Sequence, residues 1–199
     1  MIPVGYIQAN KVSLRKKQPH RIIGVARFSP EKQVLHQIQV VERLVDEFPD
    51  VELHLFGFGG QDDEKKLRDY VTQHDLTKHV FFRGFVTDLS AEYAQASLEM
   101  VTSNEEGFSL ATLEALSFGV PVISYDIRYG PTEMIEDGVN GNLVERDNVD
   151  ILYWKVRSYL RDAKLQKSYM KNSLRLAKRY TAAATTEKWR TLLTSLQEH

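Results

Sequence analysis

No cysteine occurs among the 199 residues, so the chain has neither a disulfide framework nor a thiolate metal site. That absence is compatible with the cytoplasm. An excess of either charge is also missing. Twenty-six basic residues stand against 27 acidic ones, a net charge of −1, and this balance draws the whole molecule neither to nucleic acid nor to an anionic membrane. No stretch reaches the roughly 18 apolar residues that a membrane-spanning helix requires. The first twenty residues, MIPVGYIQANKVSLRKKQPH, lack the continuous apolar segment of a signal peptide, and their basic cluster (Arg15, Lys16, Lys17) follows the apolar residues instead of preceding them. Internal repeats and low-complexity segments are absent too.

What is present suits a folded domain. Hydrophobic residues make up 42%, with nine Tyr and nine Phe, which is ample for a packed core. The length fits one large domain or two small ones. The opening Ile-Pro-Val-Gly is a turn-like phrase, so the chain reads as starting between elements, as a piece of something longer would.

Short β-branched runs alternate with helical patterns. RIIGVAR (21–27), VELHLFG (51–57), VFFRGF (80–85), LEMVTS (98–103), PVISYD (121–126) and GNLVE (141–145) predict strands. The intervening segments 31–48, 61–75, 88–96, 109–118 and 131–137 predict helices or turns of helix. This alternation implies α/β architecture: a Rossmann-like, doubly wound parallel sheet of six strands. From Asn148 onward the pattern is helical only, with apolar positions such as Ile151, Trp154, Leu160, Leu174, Trp189, Leu192 and Leu193.

Ligands of such sheets sit beyond the carboxyl ends of the strands, where the strand order reverses. The turn after the first strand reads GVARFSPEK and has no G-x-G-x-x-G. The rival GFGGQ (57–61) follows the second strand and lacks a third glycine at the right spacing, so a dehydrogenase loses its main support. In the first turn, Ser29 is placed as an N-cap, Pro30 at the first helical position and Glu31 in the first turn. Lys32 is out of place, because a cation near a helix amino terminus opposes the dipole by about 0.3–1 kcal/mol. Two readings stand. Arg27 and Lys32 converge on a diphosphate, or Lys32 bends into solvent while Arg27 pairs with a nearby acid.

The segment NEEGFSLATLEALSFGVPVIS (104–124) carries two glutamates that raise a question. With Ser109 as N-cap, Phe108 and Leu113 fall where a hydrophobic staple belongs. At 100° per residue Glu114 then lies between Leu110 and Phe118, inside the apolar arc. A carboxylate there needs a partner. A vicinal diol, such as the two hydroxyls of a ribose, would supply two hydrogen bonds. A salt bridge, or exposure at the helix edge, are the alternatives. Glu106 precedes the helix in a loop with Gly107, whose backbone amides suit phosphate oxygens. Glu105 is expected to be solvated. A pair of glutamates also suits glycosidase acid–base chemistry, and spacing alone does not decide.

Taken together, GVARFSPEK, LHLFGFGG, VFFRGFVTD, EEGFSLATLEALSFGVPVIS and DGVNGNLVE resemble, in order and over nearly the whole chain, the carboxyl-terminal donor-binding half of retaining GT-B glycosyltransferases of the large group-1 family. The resemblance implies that Arg27 and Lys32 hold a donor diphosphate and that Glu106, as the catalytic residue, approaches the transferred sugar. It implies that Glu114 binds the ribose hydroxyls, that amides around Phe108, Ser109 and Leu110 support phosphate and sugar, and that Phe85 and Val86 lie beside the base. Where many members have a glycine-rich turn followed by Glu-Ile-Val, this chain has YDIRYGPTEMIEDG. That phrase resembles poly(glycerol-phosphate) α-glucosyltransferases and the enzymes that glycosylate teichoic acid or serine-rich adhesins.

The expected donor is therefore UDP-glucose or UDP-N-acetylglucosamine, with retention at the anomeric carbon and no metal or other cofactor. No Asp-x-Asp motif is present, in agreement. The expected domains are an interdomain segment (1–20), a nucleotide-sugar-binding domain (21–180) and a final helix (181–199) that packs on an acceptor-binding domain preceding this chain. Self-association through that helix, a cytoplasmic location peripheral to the inner membrane face and no nucleic-acid partner complete the expectation. A non-catalytic nucleotide-sugar-binding module and a nucleotide-sugar epimerase of similar fold are the competing functions.

Overall fold

A computed structural model describes residues 17–197. Its centre is a six-stranded, wholly parallel sheet in the order β3-β2-β1-β4-β5-β6. The strands are β1 (Arg21–Val25), β2 (Glu52–Phe56), β3 (Val80–Gly84), β4 (Leu98–Val101), β5 (Val122–Tyr125) and β6 (Gly141–Val144). Every residue of β4 and β5 is buried. A strand covered on both faces has no solvent side, so it does not alternate apolar with solvent-facing polar residues; the polar Glu99 and Ser124 are themselves buried.

Helices α1 (Val34–Glu42), α2 (Gln61–Gln73) and α6 (Val149–Arg161) pack on one face. They enclose Ile22, Leu53, Leu55, Leu98, Met100 and Ile123. Helices α3 (Ser90–Gln95), α4 (Leu110–Ser117) and α5 (Pro131–Met134) cover the other face, over Ile23, Phe56, Val101 and Val122. Helix α7 (Ala163–Ala177) packs against α4, and α8 (Ala182–Gln197) follows a single 3₁₀ turn. Side chains start two of these helices. The Asn148 side-chain oxygen accepts the Ile151 amide ahead of α6, and the Asp162 carboxylate accepts the Lys164 and Leu165 amides ahead of α7. Of the expected interdomain segment 1–20, the first sixteen residues lie outside the described ones.

One boundary differs from expectation. The segment 31–48 is not a single helix begun by a Ser29 cap. Pro30–Lys32 is a 3₁₀ turn, Gln33 is left-handed at φ 46°, and α1 begins only at Val34. The Ser29 hydroxyl donates 2.7 Å to the Glu31 carboxylate and caps no backbone amide. This kink allows the loop after β1 to reach the loop after β4.

The chain runs β1, β2, β3 toward one edge and then returns to lay β4 beside β1, so the strand order reverses between β1 and β4. The loops leaving those two strands therefore share one crevice. GFGG has a backbone role here. Gly57 has φ 134°, and a Cβ on it would stand 1.9 Å from the Ala26 carbonyl oxygen. Only glycine allows the loops after β1 and β2 to approach so closely.

Candidate active site

The loops after β1 and β4 are tied through backbone and side chains. The Asn104 amide donates to the Glu31 carbonyl at 2.8 Å. The Thr102 hydroxyl donates to the Lys32 carbonyl at 2.9 Å and itself accepts from the Gln37 carboxamide at 3.0 Å. This frame brings together residues that lie 74 positions apart. Lys32 Nζ is 2.8 Å from Glu106 Oε1, and the Ser103 hydroxyl donates to the same oxygen at 2.7 Å. Lys32 thus does not bend into solvent. Arg27 does meet a neighbouring acid, at 3.6 Å from Glu31, but its side chain is 72% exposed and open to a ligand.

Ser109 occupies the N-cap position of α4 in a left-handed conformation, φ 58°. Its hydroxyl bonds the Thr112 hydroxyl at 2.9 Å and caps no amide. Among the described residues, the amides of Phe108, Ser109 and Leu110 donate to no protein acceptor. Unpaired amides at a helix start form a site for anions. Phe108 is half-buried against the cluster that holds Leu113, with its ring edge-on to Tyr180 at 6.0 Å, so it lies where the staple expectation put it.

Glu114 corrects the helical-wheel reading. It is exposed, as is Leu110 one turn earlier, while α4 turns Thr112, Leu113, Ala115, Leu116 and Ser117 inward. The apolar character of Leu110 and Phe118 does not mark the core face, and the carboxylate is not inside the core. It has no hydrogen-bond or ion-pair partner among the described residues, so it stands at the helix edge with its acceptors free. Partial desolvation, and then the Asp88 charge, raise its pKa from the ordinary value. Glu105 is solvated, as expected.

Phe85 is 69% exposed and Val86 is also open to solvent. With Phe58, which sequence reasoning missed inside a failed glycine fingerprint, Phe85 makes an edge-on pair at 6.1 Å. Both rings line an apolar cavity of about 340 Å³ whose lining also includes Arg27. Exposed rings over an apolar floor suit a flat heterocycle.

Glu99 was also missed, although an acid within the otherwise apolar LEMV was a signal. It is fully buried, with one oxygen 3.5 Å from the Tyr93 hydroxyl and the other without a partner among the described residues. Burial above all pushes its pKa far up, and the nearby Glu114 and Glu106 charges add to this; both causes favour the neutral carboxyl. Among the described residues no three His, Asp or Glu side chains gather as a metal site, and no helix is long and apolar enough to cross a membrane.

Comparison with known proteins agrees with this architecture. The family model described as glycosyl transferases group 1 matches residues 7–175. A poly(glycerol-phosphate) alpha-glucosyltransferase of Bacillus subtilis is 28% identical over 181 residues, covering 91% of this chain and 27% of that protein. A poly(ribitol-phosphate) alpha-N-acetylglucosaminyltransferase of Staphylococcus aureus is 29% identical over 180 residues, with 89% and 36% covered. The solved pneumococcal O-GlcNAc transferase GtfA, in complex with UDP and GlcNAc, superposes with a TM-score of 0.83 at 26% identity, over all of this chain and 40% of that one. The chain thus spans less than half the length of each.

Proposed function

The chain belongs to the glycosyl transferases group 1 family, and from that premise we propose that it is the donor-binding part of a retaining hexosyltransferase that uses a UDP-sugar. The observation that carries the reading is the meeting of Lys32 and Glu106 at the reversal between β1 and β4, with the exposed Arg27 on the same loop as Lys32 and the free amides of Phe108, Ser109 and Leu110 on the same loop as Glu106. Two cations and a set of unpaired amides match a diphosphate. Glu114, open and unpartnered, accepts the two ribose hydroxyls. Phe85 and Val86, with Phe58 opposite, flank the base. Glu106 faces the transferred sugar.

The relatives' names support glucose or N-acetylglucosamine as the sugar, and a cell-wall polymer or a protein as the acceptor. Those relatives are longer, which supports an acceptor-binding domain preceding this chain, with 1–20 as an interdomain segment, 21–180 as the donor domain and a final segment, 181–199, that packs on the other domain. The exposed stripe of Trp189, Leu192, Leu193 and Leu196 on α8 fits such a contact, or a second copy when the domain is missing. Transfer takes place in the cytoplasm, at the inner membrane face, without a metal. The donor half alone binds UDP-sugar and transfers nothing, because holding the acceptor against the anomeric carbon supplies about 7–11 kcal/mol of barrier lowering.

Calorimetric titration with UDP, UDP-glucose, UDP-N-acetylglucosamine and uridine tests this. Saturable binding of UDP, stronger than that of uridine, is expected, and no binding of UDP would overturn the reading. Robust transfer by residues 1–199 alone would overturn the division of labour between domains.

A further inference from the structure

Glu106 Oε1 carries two donors at once: the Lys32 ammonium at 2.8 Å and the Ser103 hydroxyl at 2.7 Å. The Lys32 and Glu106 side chains are 15% and 18% exposed, and Ser103 is buried. Lys32 has no other carboxylate within ion-pair distance among the described residues. The cation assigned to the diphosphate is therefore already engaged by the carboxylate assigned to the sugar. The backbone of Lys32 is fixed, since its carbonyl accepts from Thr102, but its four-carbon stem can carry the ammonium between acceptors.

Resting on the donor-site reading above, we propose that the incoming diphosphate takes Lys32 from Glu106, and that Ser103 is the positioning residue that keeps the released carboxylate in place. The ion pair neutralises both groups, which a mostly buried carboxylate and ammonium require. A diphosphate offers the ammonium more negative charge and more acceptors than one carboxylate. Once Lys32 has moved, Glu106 retains one neutral donor and its full charge, so the carboxylate becomes an available anion beside the sugar only when a donor is bound. No covalent bond changes in this exchange. Arg27 takes no part in it, because its own acid lies 3.6 Å away at an exposed position.

The test is UDP titration of the wild-type chain, Glu106→Gln, Lys32→Ala and the double variant, with uridine in parallel. Exchange predicts that Glu106→Gln tightens UDP about three- to tenfold, since no ion pair has to be broken first. The gain shrinks in the Lys32→Ala background, and uridine affinity stays the same. A gain that is equal or larger without Lys32 reports simple repulsion between Glu106 and phosphate and overturns the exchange, as does the absence of any gain. Ser103→Ala gives a second arm that leaves both charges in place. It weakens UDP in the wild-type background, is silent beside Glu106→Gln, and is rescued by Ser103→Thr; an equal loss in both backgrounds overturns the role of Ser103. Failure of the wild-type chain to bind UDP would instead overturn the donor-site reading itself.

Discussion

Gly130 lies directly against Glu106: a Cβ on Gly130 would stand 2.9 Å from the Glu106 Cβ, and the glycine holds φ 83°. The loop after β5 thus sets the position of the carboxylate that follows β4. Gly130→Ala combines a left-handed strain with a side-chain clash and is expected to destabilise by about 1–3 kcal/mol. Gly107, next to Glu106 in sequence, has nothing within 4 Å of its Cβ position and no such φ. Gly107→Ala is expected to change stability by no more than about 0.5 kcal/mol. Urea unfolding of the two variants checks the contrast, and equal effects would remove the packing argument.

Glu114→Ala should weaken UDP while leaving the fold unaffected, since the carboxylate has no partner among the described residues. Losing two charge-assisted hydrogen bonds costs at most about 1.5–3 kcal/mol each, and Glu114→Gln should keep part of the affinity. The raised pKa of Glu114 gives the pH dependence its sign. The acceptor is the ionised form, so UDP affinity falls on acidification, with a midpoint above the ordinary glutamate value. Calorimetry across the acidic range is the measurement, and a Glu114→Gln variant with the same pH profile as wild type would exclude the ribose role.

Arg27→Ala and Lys32→Ala should each weaken UDP more than uridine, because only UDP has the diphosphate. Arg27 is exposed, so its loss leaves stability unchanged. Removing Lys32 leaves a mostly buried carboxylate with only Ser103 as donor, and this variant should also lose about 1–3 kcal/mol of stability. EDTA should leave UDP affinity unchanged. A strict need for magnesium or manganese would replace the two-cation clasp with a metal bridge.

Glu99 makes the domain less stable as pH rises above the ordinary glutamate range. Its folded-state pKa is raised far above the unfolded value, so its contribution to stability is whole below the ordinary glutamate pKa and is lost progressively as pH rises toward the folded pKa. Glu99→Gln, neutral at every pH and of similar shape, should be more stable than wild type at neutral pH and should flatten the decline of stability with pH. Urea unfolding at acidic, neutral and alkaline pH tests this, and parallel curves for the two proteins would show that Glu99 is not the group responsible.

Much of the fold was legible without coordinates. Largely buried strands leave short runs rich in apolar and β-branched residues, and the helices between them leave a 3.6-residue rhythm, so β1 to β6 and the alternation appear in the amino-acid order itself. The chemistry-bearing residues could also be named there, because Lys32 breaks a local dipole rule and Glu114 interrupts an apolar stretch. Local rules misled in two places. Ser29 suits an N-cap, yet its hydroxyl goes to Glu31, and Leu110 is apolar, yet it lies on the open side of α4 with Glu114.

The sequence by itself therefore determined the elements, their order and the residue types at the ends of β1 and β4. Only the tertiary structure decided the partners: Lys32 with Glu106, Ser103 with the same oxygen, Gly130 against the Glu106 Cβ, and Glu99 wholly buried beside the Tyr93 hydroxyl. The physical reason is the reversal that sets β4 beside β1. Residues 74 positions apart meet only because the sheet is ordered 3-2-1-4-5-6, and no pattern within a few turns of chain encodes that adjacency.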